Sequence, residues 1–172
     1  MTEWTLKDGE RLDDLVRDGM RLIQRPDQFC FSVDSVLLAH YVKPKAKDRI
    51  ADLGTGTGVI SLLVSALGGR DITAFEVNPV MADLARRNIA GNGKEDQIHV
   101  VECDYRKVNE RFPSGSFSLV LANPPYREMG TGKMSMLEGV ASASYEMNAS
   151  LTDVFKTAQY LLKYGGRLAM VH

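Results

Sequence analysis

From Arg49 onward, runs of about five apolar residues alternate with longer stretches in which apolar side chains return every three or four positions. The short runs suit strands, whose side chains alternate across a sheet, and the longer ones suit helices with one buried face. Arg49 to Leu53 predicts a first strand and Val59 to Leu67 a helix closed by Gly68-Gly69. Asp71 to Phe75 predicts a second strand that ends at Glu76. Asn78-Pro79 then supplies an N-cap and a proline at the first helical position, for a helix that stops at Asn92-Gly93. Ile98 to Glu102 reads as a third strand ending at Asp104. Phe117 to Ala122, entered through the turn Pro113-Ser114-Gly115-Ser116, reads as a fourth ending at Asn123. Leu151 to Leu162 predicts a helix capped by Gly165-Gly166, and Arg167 to Val171 a fifth strand. Strand and helix in alternation imply right-handed crossovers and a mainly parallel sheet, hence an α/β fold.

Two segments fall outside that rhythm. Residues 127–149 hold Gly130, Gly132 and Gly139 without periodicity, too long for a simple connection and therefore expected to be a functional or mobile loop. Before the sheet, residues 1–47 form an N-terminal extension, extended around Leu22-Ile23-Gln24-Arg25-Pro26 and then helical from Ser35 to Val42 behind an Asp34 cap. Residues 48–172 form the α/β domain.

The 172 residues fit one domain, and 44% apolar with 25% charged side chains is an ordinary globular balance. Twenty-one basic against 22 acidic groups leave a net charge of -1, so any contact with a polyanion has to be local. Candidate basic clusters are Lys43 to Arg49, Arg86-Arg87, Arg106-Lys107 and Arg127 to Lys133. Met1 to Glu10 is polar and acidic, and no apolar run approaches the ~18 residues of a membrane helix, so a cytoplasmic address and no membrane partner are expected. Cys30, Cys103, His40, His99 and His172 lack the close spacing of a zinc site or a disulfide framework, so no metal is expected.

Open α/β sheets bind ligands beyond the carboxyl ends of their strands, which here carry Asp52, Gly54, Glu76, Asp104 and Asn123. Gly54-Thr55-Gly56-Thr57-Gly58 lets the backbone turn tightly beside a ligand. Glu76 follows Gly54 at nearly the ~20 residues that place a carboxylate on a ribose diol. The turn is not the GxGxxG of a dinucleotide site, and Asp52 would repel a pyrophosphate, so a positively charged nucleoside cofactor fits better than a nicotinamide one. A P-loop is excluded because Gly132-Lys133 lacks the upstream glycine and is followed by Met134.

Asp52-Leu53-Gly54-Thr55-Gly56-Thr57-Gly58 resembles the first motif of the class I S-adenosylmethionine methyltransferases. That resemblance implies a three-layer, Rossmann-like sheet with S-adenosylmethionine as cofactor. It also implies that Asp52 and the turn hold the methionine part, Glu76 the ribose hydroxyls, and Asp104 with Tyr105 the adenine. The N-terminal helix is expected to pack on the cofactor site.

Asn123-Pro124-Pro125-Tyr126 is the most specific feature of the chain. An amide or aromatic NH2 has a delocalised lone pair and attacks a methyl group poorly. The Asn123 side-chain oxygen and the Pro124 carbonyl can each accept one of its hydrogens, while Pro124 and Pro125 stiffen the backbone and Tyr126 stacks on the planar group. The tetrapeptide resembles that of methyltransferases acting on planar amino nitrogens, whose acceptors include adenine N6, guanine N2 and protein glutamine.

The stretch Leu22 to Ala39, with Phe31-Ser32-Val33-Asp34-Ser35-Val36-Leu37-Leu38-Ala39, resembles the bacterial tRNA adenine-N6 methyltransferases, which modify the adenine after the anticodon of a valine tRNA. By that resemblance Asn123, Pro124, Pro125 and Tyr126 are catalytic. The cofactor set becomes Phe31, Ser32, Asp52, Gly54, Thr55, Gly56, Gly58, Glu76, Asn78, Asp104, Tyr105 and Asn123. Where relatives usually carry Ala-Arg-x-Glu or similar, this sequence has Ala143-Ser144-Tyr145-Glu146, so a basic substrate contact is expected either to be missing or to be replaced by Arg127 or Lys133. Relatives also continue past the fifth strand into a helix and an antiparallel strand pair. The sequence ends at His172, so the methyltransferase domain is read as C-terminally incomplete, with a homodimer covering the sheet edge as the alternative. The other acceptors kept open are a protein glutamine and a guanine in ribosomal RNA, and a reading from another class is a non-catalytic cofactor- or RNA-binding module.

Overall fold

Alternation along the central strands decides which helix layer each side chain meets. In the computed structural model, which describes residues 4–28, 30–124 and 150–172, β3 (Arg49–Leu53) sends Ile50 to one face of the sheet and Ala51 and Leu53 to the other. The first face is covered by α1 (Val33–Tyr41), α2 (Val59–Ala66) and part of α3 (Pro79–Gly91), with Leu38, Leu62, Leu63 and Ile89 among the buried contacts. The second face is covered by α4 (Leu151–Leu161) and a 3-10 segment (Tyr105–Glu110), through Val154, Ala158, Leu161 and Val108. On that side Phe75 packs edge-on against Phe112 and Phe117 at 5.3 and 6.3 Å between ring centroids. Pairs of this kind contribute ~0.5–1.5 kcal/mol beyond the area they bury.

The five strands run parallel in the order β5-β4-β3-β6-β7, with β4 (Asp71–Glu76), β5 (Ile98–Glu102), β6 (Phe117–Ala122) and β7 (Leu162–Met170) around the central β3. The chain winds outward from β3 to β5 and returns to β6 on the other side of β3. The carboxyl ends of β3 and β6 therefore form a topological switch point, where diverging loops leave a crevice. The mainly parallel α/β sheet expected from the alternation is the observed one.

Three local expectations are corrected. The first helix begins at Val33, not Ser35: Ser32 is the extended N-cap residue, and Asp34 lies in the first turn, where a carboxylate complements the helix dipole. Gly165-Gly166 do not cap the last helix, which ends at Leu161 with Leu162 already extended. They lie inside β7, where the register slips between Phe117↔Leu162 and Leu119↔Arg167 and Gly165 adopts φ +72°. An added antiparallel hairpin, β1 (Arg11–Asp14) with β2 (Arg21–Gln24), precedes α1; the strand at Leu22 was legible, its partner was not. Residues 127–149, with their expected loop and the Ala143-Ser144-Tyr145-Glu146 departure, lie outside the described residues. Among the described residues no helix is long and apolar enough to cross a membrane.

Candidate functional site

The glycine turn after β3 is held by the end of the neighbouring strand β4. Thr55 N donates to Phe75 O at 2.9 Å, and Gly56 N donates to Glu76 Oε2 at 2.8 Å. Gly54, Gly56 and Gly58 have φ of +69°, +58° and +84°, conformations that L-residues rarely adopt. A Cβ at Gly54 would meet nothing within 4 Å, and at Gly58 it would make ordinary contact with Ala85 Cβ at 3.5 Å. Gly54 thus exposes bare backbone to open space, and Gly58 supplies the left-handed N-cap of α2.

A cavity opens over this turn and is closed from four directions. The turn itself (Gly54, Thr55, Gly56, Thr57) forms the floor. Glu76 and Met81 lie on one side, Asp104, Tyr105 and Arg106 on a second, and Phe31 with Ser35 of the α1 region on a third; Asn123 and Pro124 stand at the end of β6. Sequence positions up to 123 residues apart, Phe31 to Val154, thereby share one crevice at the switch point.

Nine of the expected site residues line it: Phe31, Gly54, Thr55, Gly56, Glu76, Asp104, Tyr105, Asn123 and Pro124. Ser32, Asp52, Gly58 and Asn78 do not. Asn78 caps α3, its side chain accepting from Val80 N at 3.0 Å, and its own backbone N–H donates to Glu76 Oε1 at 2.9 Å. Ser32 Oγ reaches Asp34 Oδ2 at 3.5 Å. Pro125 and Tyr126 lie outside the described residues.

Asp52 is fully buried beneath the turn. Its Oδ2 accepts from Thr55 Oγ1 at 2.6 Å and Ser61 Oγ at 2.7 Å, while Oδ1 is buried without a partner among the described residues. Burial pushes its carboxyl pKa up, and the two hydroxyls pull the other way. The carboxylate therefore braces the turn from below through Thr55, rather than lining the cavity. Asp104 differs: the Arg106 guanidinium, at 2.6 Å, holds its carboxyl below the ordinary range.

Several contributors escaped the sequence reading. Ser35, 3% exposed on α1, accepts a hydrogen bond from Asn123 Nδ2 at 3.0 Å. Met81, Arg106, Val59, Ile60, Val77 and Val154 add to the walls. Ser35 sits in the segment that carried the family resemblance, yet nothing local in the sequence pairs it with a residue 88 positions away.

The arrangement fits S-adenosylmethionine. Bare glycine backbone with open space above it suits close approach of the methionine part, the Glu76 carboxylate at the end of β4 suits a ribose diol, and apolar Phe31 and Met81 line the same crevice. Among the described residues no group of three or more His, Cys, Asp or Glu side chains is placed to hold a metal. Among the described residues, four arginines of the basic clusters are engaged in ion pairs. Arg49 pairs with Asp71, Arg86 with Glu102, Arg87 with Glu10 and Arg106 with Asp104.

Residues 20–172 match the family described as Methyltransferase small domain. The tRNA1(Val) (adenine(37)-N6)-methyltransferase of Shewanella amazonensis is 34% identical over 114 residues, 66% of this chain and 48% of that protein. Its namesake in a Flavobacteriaceae bacterium is 30% identical over 144 residues, 83% of this chain and 59% of that protein. The chain spans about half the length of these curated relatives. Among solved structures, geranyl diphosphate methyltransferase in complex with GPP and sinefungin has a TM-score of 0.61 at 18% identity, over 80% of this chain and 44% of that one. A putative S-adenosyl-L-methionine-dependent methyltransferase from Methanococcus maripaludis gives 0.59 at 16% identity, over 80% and 54%. At such identities the likeness concerns the fold alone.

Proposed function

Because the chain belongs to the methyltransferase small domain family and its cofactor is S-adenosylmethionine, we propose that it transfers a methyl group to the exocyclic N6 amine of adenine in tRNA, next to the anticodon. The observation that carries this reading is Asn123 at the mouth of the cavity, its Nδ2 committed to Ser35. Among the described residues Asn123 Oδ1 accepts no hydrogen bond, so the amide's acceptor end is the one left for a substrate NH2. The names of the relatives, tRNA1(Val) (adenine(37)-N6)-methyltransferases, support the choice of adenine in RNA over a protein glutamine or a guanine. A tRNA substrate also makes the cytoplasm the place of action.

When bound, the cofactor supplies a methyl group on a positively charged sulfur. This chain's residues do the rest. Glu76 and the glycine turn seat the nucleoside side by side with the β6 end. Asn123 Oδ1 and the Pro124 carbonyl accept the two amine hydrogens, which draws the nitrogen lone pair out of conjugation and aims it along the transfer line. Positioning of this kind accounts for much of the rate of a two-substrate reaction. Pro125 and Tyr126, outside the described residues, take from the sequence resemblance the roles of stiffening the backbone at Pro124 and stacking on the base. The nitrogen gains a methyl group and loses one proton to solvent, so a neutral asparagine is sufficient and no strong general base is required.

Incubating the purified protein with methyl-labelled S-adenosylmethionine and either tRNA or release-factor protein, followed by digestion to nucleosides or amino acids, tests the assignment. Label in N6-methyladenosine is expected. Label in N2-methylguanosine or methylglutamine, or no transfer at all, would overturn it.

A further inference from the structure

Two walls of the cofactor cavity belong to segments that are not adjacent in the sheet: the glycine turn after β3, and Phe31, which follows the N-terminal hairpin. They are joined through two side chains, those of Asn88 and Gln24, neither of which lines the cavity. Asn88, on α3, is fully buried. Its Oδ1 accepts from Ile23 N at 2.6 Å, and its Nδ2 donates to Ile23 O at 3.0 Å and to Thr57 O at 2.9 Å. Ile23 is in β2, and Thr57 is in the glycine turn. One residue further along β2, Gln24 is also buried, and its Oε1 accepts from Phe31 N at 3.0 Å. The connection Thr57, Asn88, Ile23, Gln24, Phe31 therefore runs from the cavity floor to its opposite wall through hydrogen bonds and one peptide link.

We infer that Asn88 is a positioning residue that sets the spacing between the glycine turn and Phe31, and that the N-terminal hairpin is thereby a working part of the cofactor site. A buried amide of this kind has four hydrogen-bonding opportunities at the two donors and the acceptor oxygen, and three are met here by backbone groups of two different segments. The neighbouring turn of α3 provides an internal comparison. Asn92, four residues on, grips Arg21 of the same strand, accepting from its N at 3.0 Å and donating to its O at 2.7 Å, but touches nothing in the turn. Holding β2 against α3 thus requires only the Asn92 type of contact. The extra bond to Thr57 is what ties that strand to the cofactor floor.

The inference rests on the cofactor assignment but not on the tRNA acceptor, so binding of S-adenosylhomocysteine, measured calorimetrically without any RNA, is the appropriate probe. Asn88→Ala is expected to raise its Kd about tenfold, consistent with losing one or two hydrogen bonds' worth of ordering in the turn. In turnover it is expected to raise KM for S-adenosylmethionine while kcat stays within twofold, since Asn123 and Ser35 are untouched. Asn92→Ala is expected to lower Tm by a comparable amount and to leave Kd within twofold. Should Asn88→Ala not fold, Gln24→Ala reads the same connection at its far end and is expected to raise Kd about fivefold. A folded Asn88→Ala or Gln24→Ala protein with wild-type Kd and lowered Tm would overturn the inference, and so would an equal loss of affinity in Asn92→Ala. Wild-type chain that binds S-adenosylhomocysteine yet methylates no tRNA would sink the acceptor assignment alone; no binding by the wild type would sink both.

Discussion

Replacing Ser35 by alanine removes the one side-chain acceptor that holds Asn123 Nδ2, at 3.0 Å, while leaving every cofactor-facing group of the glycine turn in place. Ser35 is 3% exposed and Asn123 half-buried, so water reaches the vacated position poorly. A neutral hydrogen bond in such a place is worth ~0.5–1.5 kcal/mol. If its role is to keep the asparagine amide turned with Oδ1 toward the substrate, that energy is lost from the transition state and kcat falls about 2- to 13-fold. Affinity for S-adenosylhomocysteine should stay within twofold. Single-turnover transfer of labelled methyl to tRNA at saturating cofactor measures the first quantity and calorimetry the second. Ser35→Thr, which keeps the hydroxyl, should recover most of the rate. A wild-type rate in Ser35→Ala would refute the reasoning, and so would a fall in cofactor affinity with the rate untouched.

Glu76→Ala removes the carboxylate that accepts from Gly56 N and Asn78 N, and is expected to raise the Kd for S-adenosylhomocysteine at least tenfold by calorimetry. Asp52, its carboxyl pKa raised by burial, binds its proton more tightly folded than unfolded, so stability is greatest below the unfolded value of ~3.9 and is lost as pH rises through the folded one. Asp52→Asn should flatten that dependence and raise stability at pH 8 on the order of 1 kcal/mol, read as a higher urea midpoint; a lower midpoint at pH 8 would contradict it. Glu10 behaves oppositely. The hydrogen bond from Arg87, at 2.6 Å, lowers its pKa, so its contribution is present above the unfolded value of ~4.3 and lost as pH falls through the folded one. Glu10→Gln should cost ~1.5–3 kcal/mol at pH 7 and little at pH 3, by denaturant titration at both pH values.

The sheet was legible because its central strands β3, β4 and β6 are buried on both faces and read as short, largely apolar runs ended by turn residues, and because Asn78-Pro79 is an unambiguous helix start. The site was legible as far as it consists of strand ends, since parallel topology alone brings Gly54, Glu76, Asp104 and Asn123 to one side. What escaped were tertiary relations. β1, Arg11–Asp14, is too polar to announce itself as a strand and exists through its pairing with β2 and the anchoring of Glu10 on Arg87. Ser35 and Asn88 look like unremarkable helix polar residues until the chain folds and sets them against Asn123 and Thr57. Asp52 was misjudged in degree. The acidic residue at a strand end suggested direct contact with a cationic ligand, but period-two alternation turns it toward Ser61 and the underside of the turn.

The proposed chemistry depends on an asparagine oxygen at the end of β6 making a planar NH2 reactive toward the cofactor. Single-turnover methylation of tRNA by Asn123→Ala, at saturating S-adenosylmethionine and beside a parallel Kd for S-adenosylhomocysteine, tests it most directly. A rate lower by about 100- to 1000-fold is expected, comparable with removal of one oxyanion-type partner, with a Kd within threefold of wild type. A rate within fivefold of wild type, with the label still in N6-methyladenosine, would contradict it.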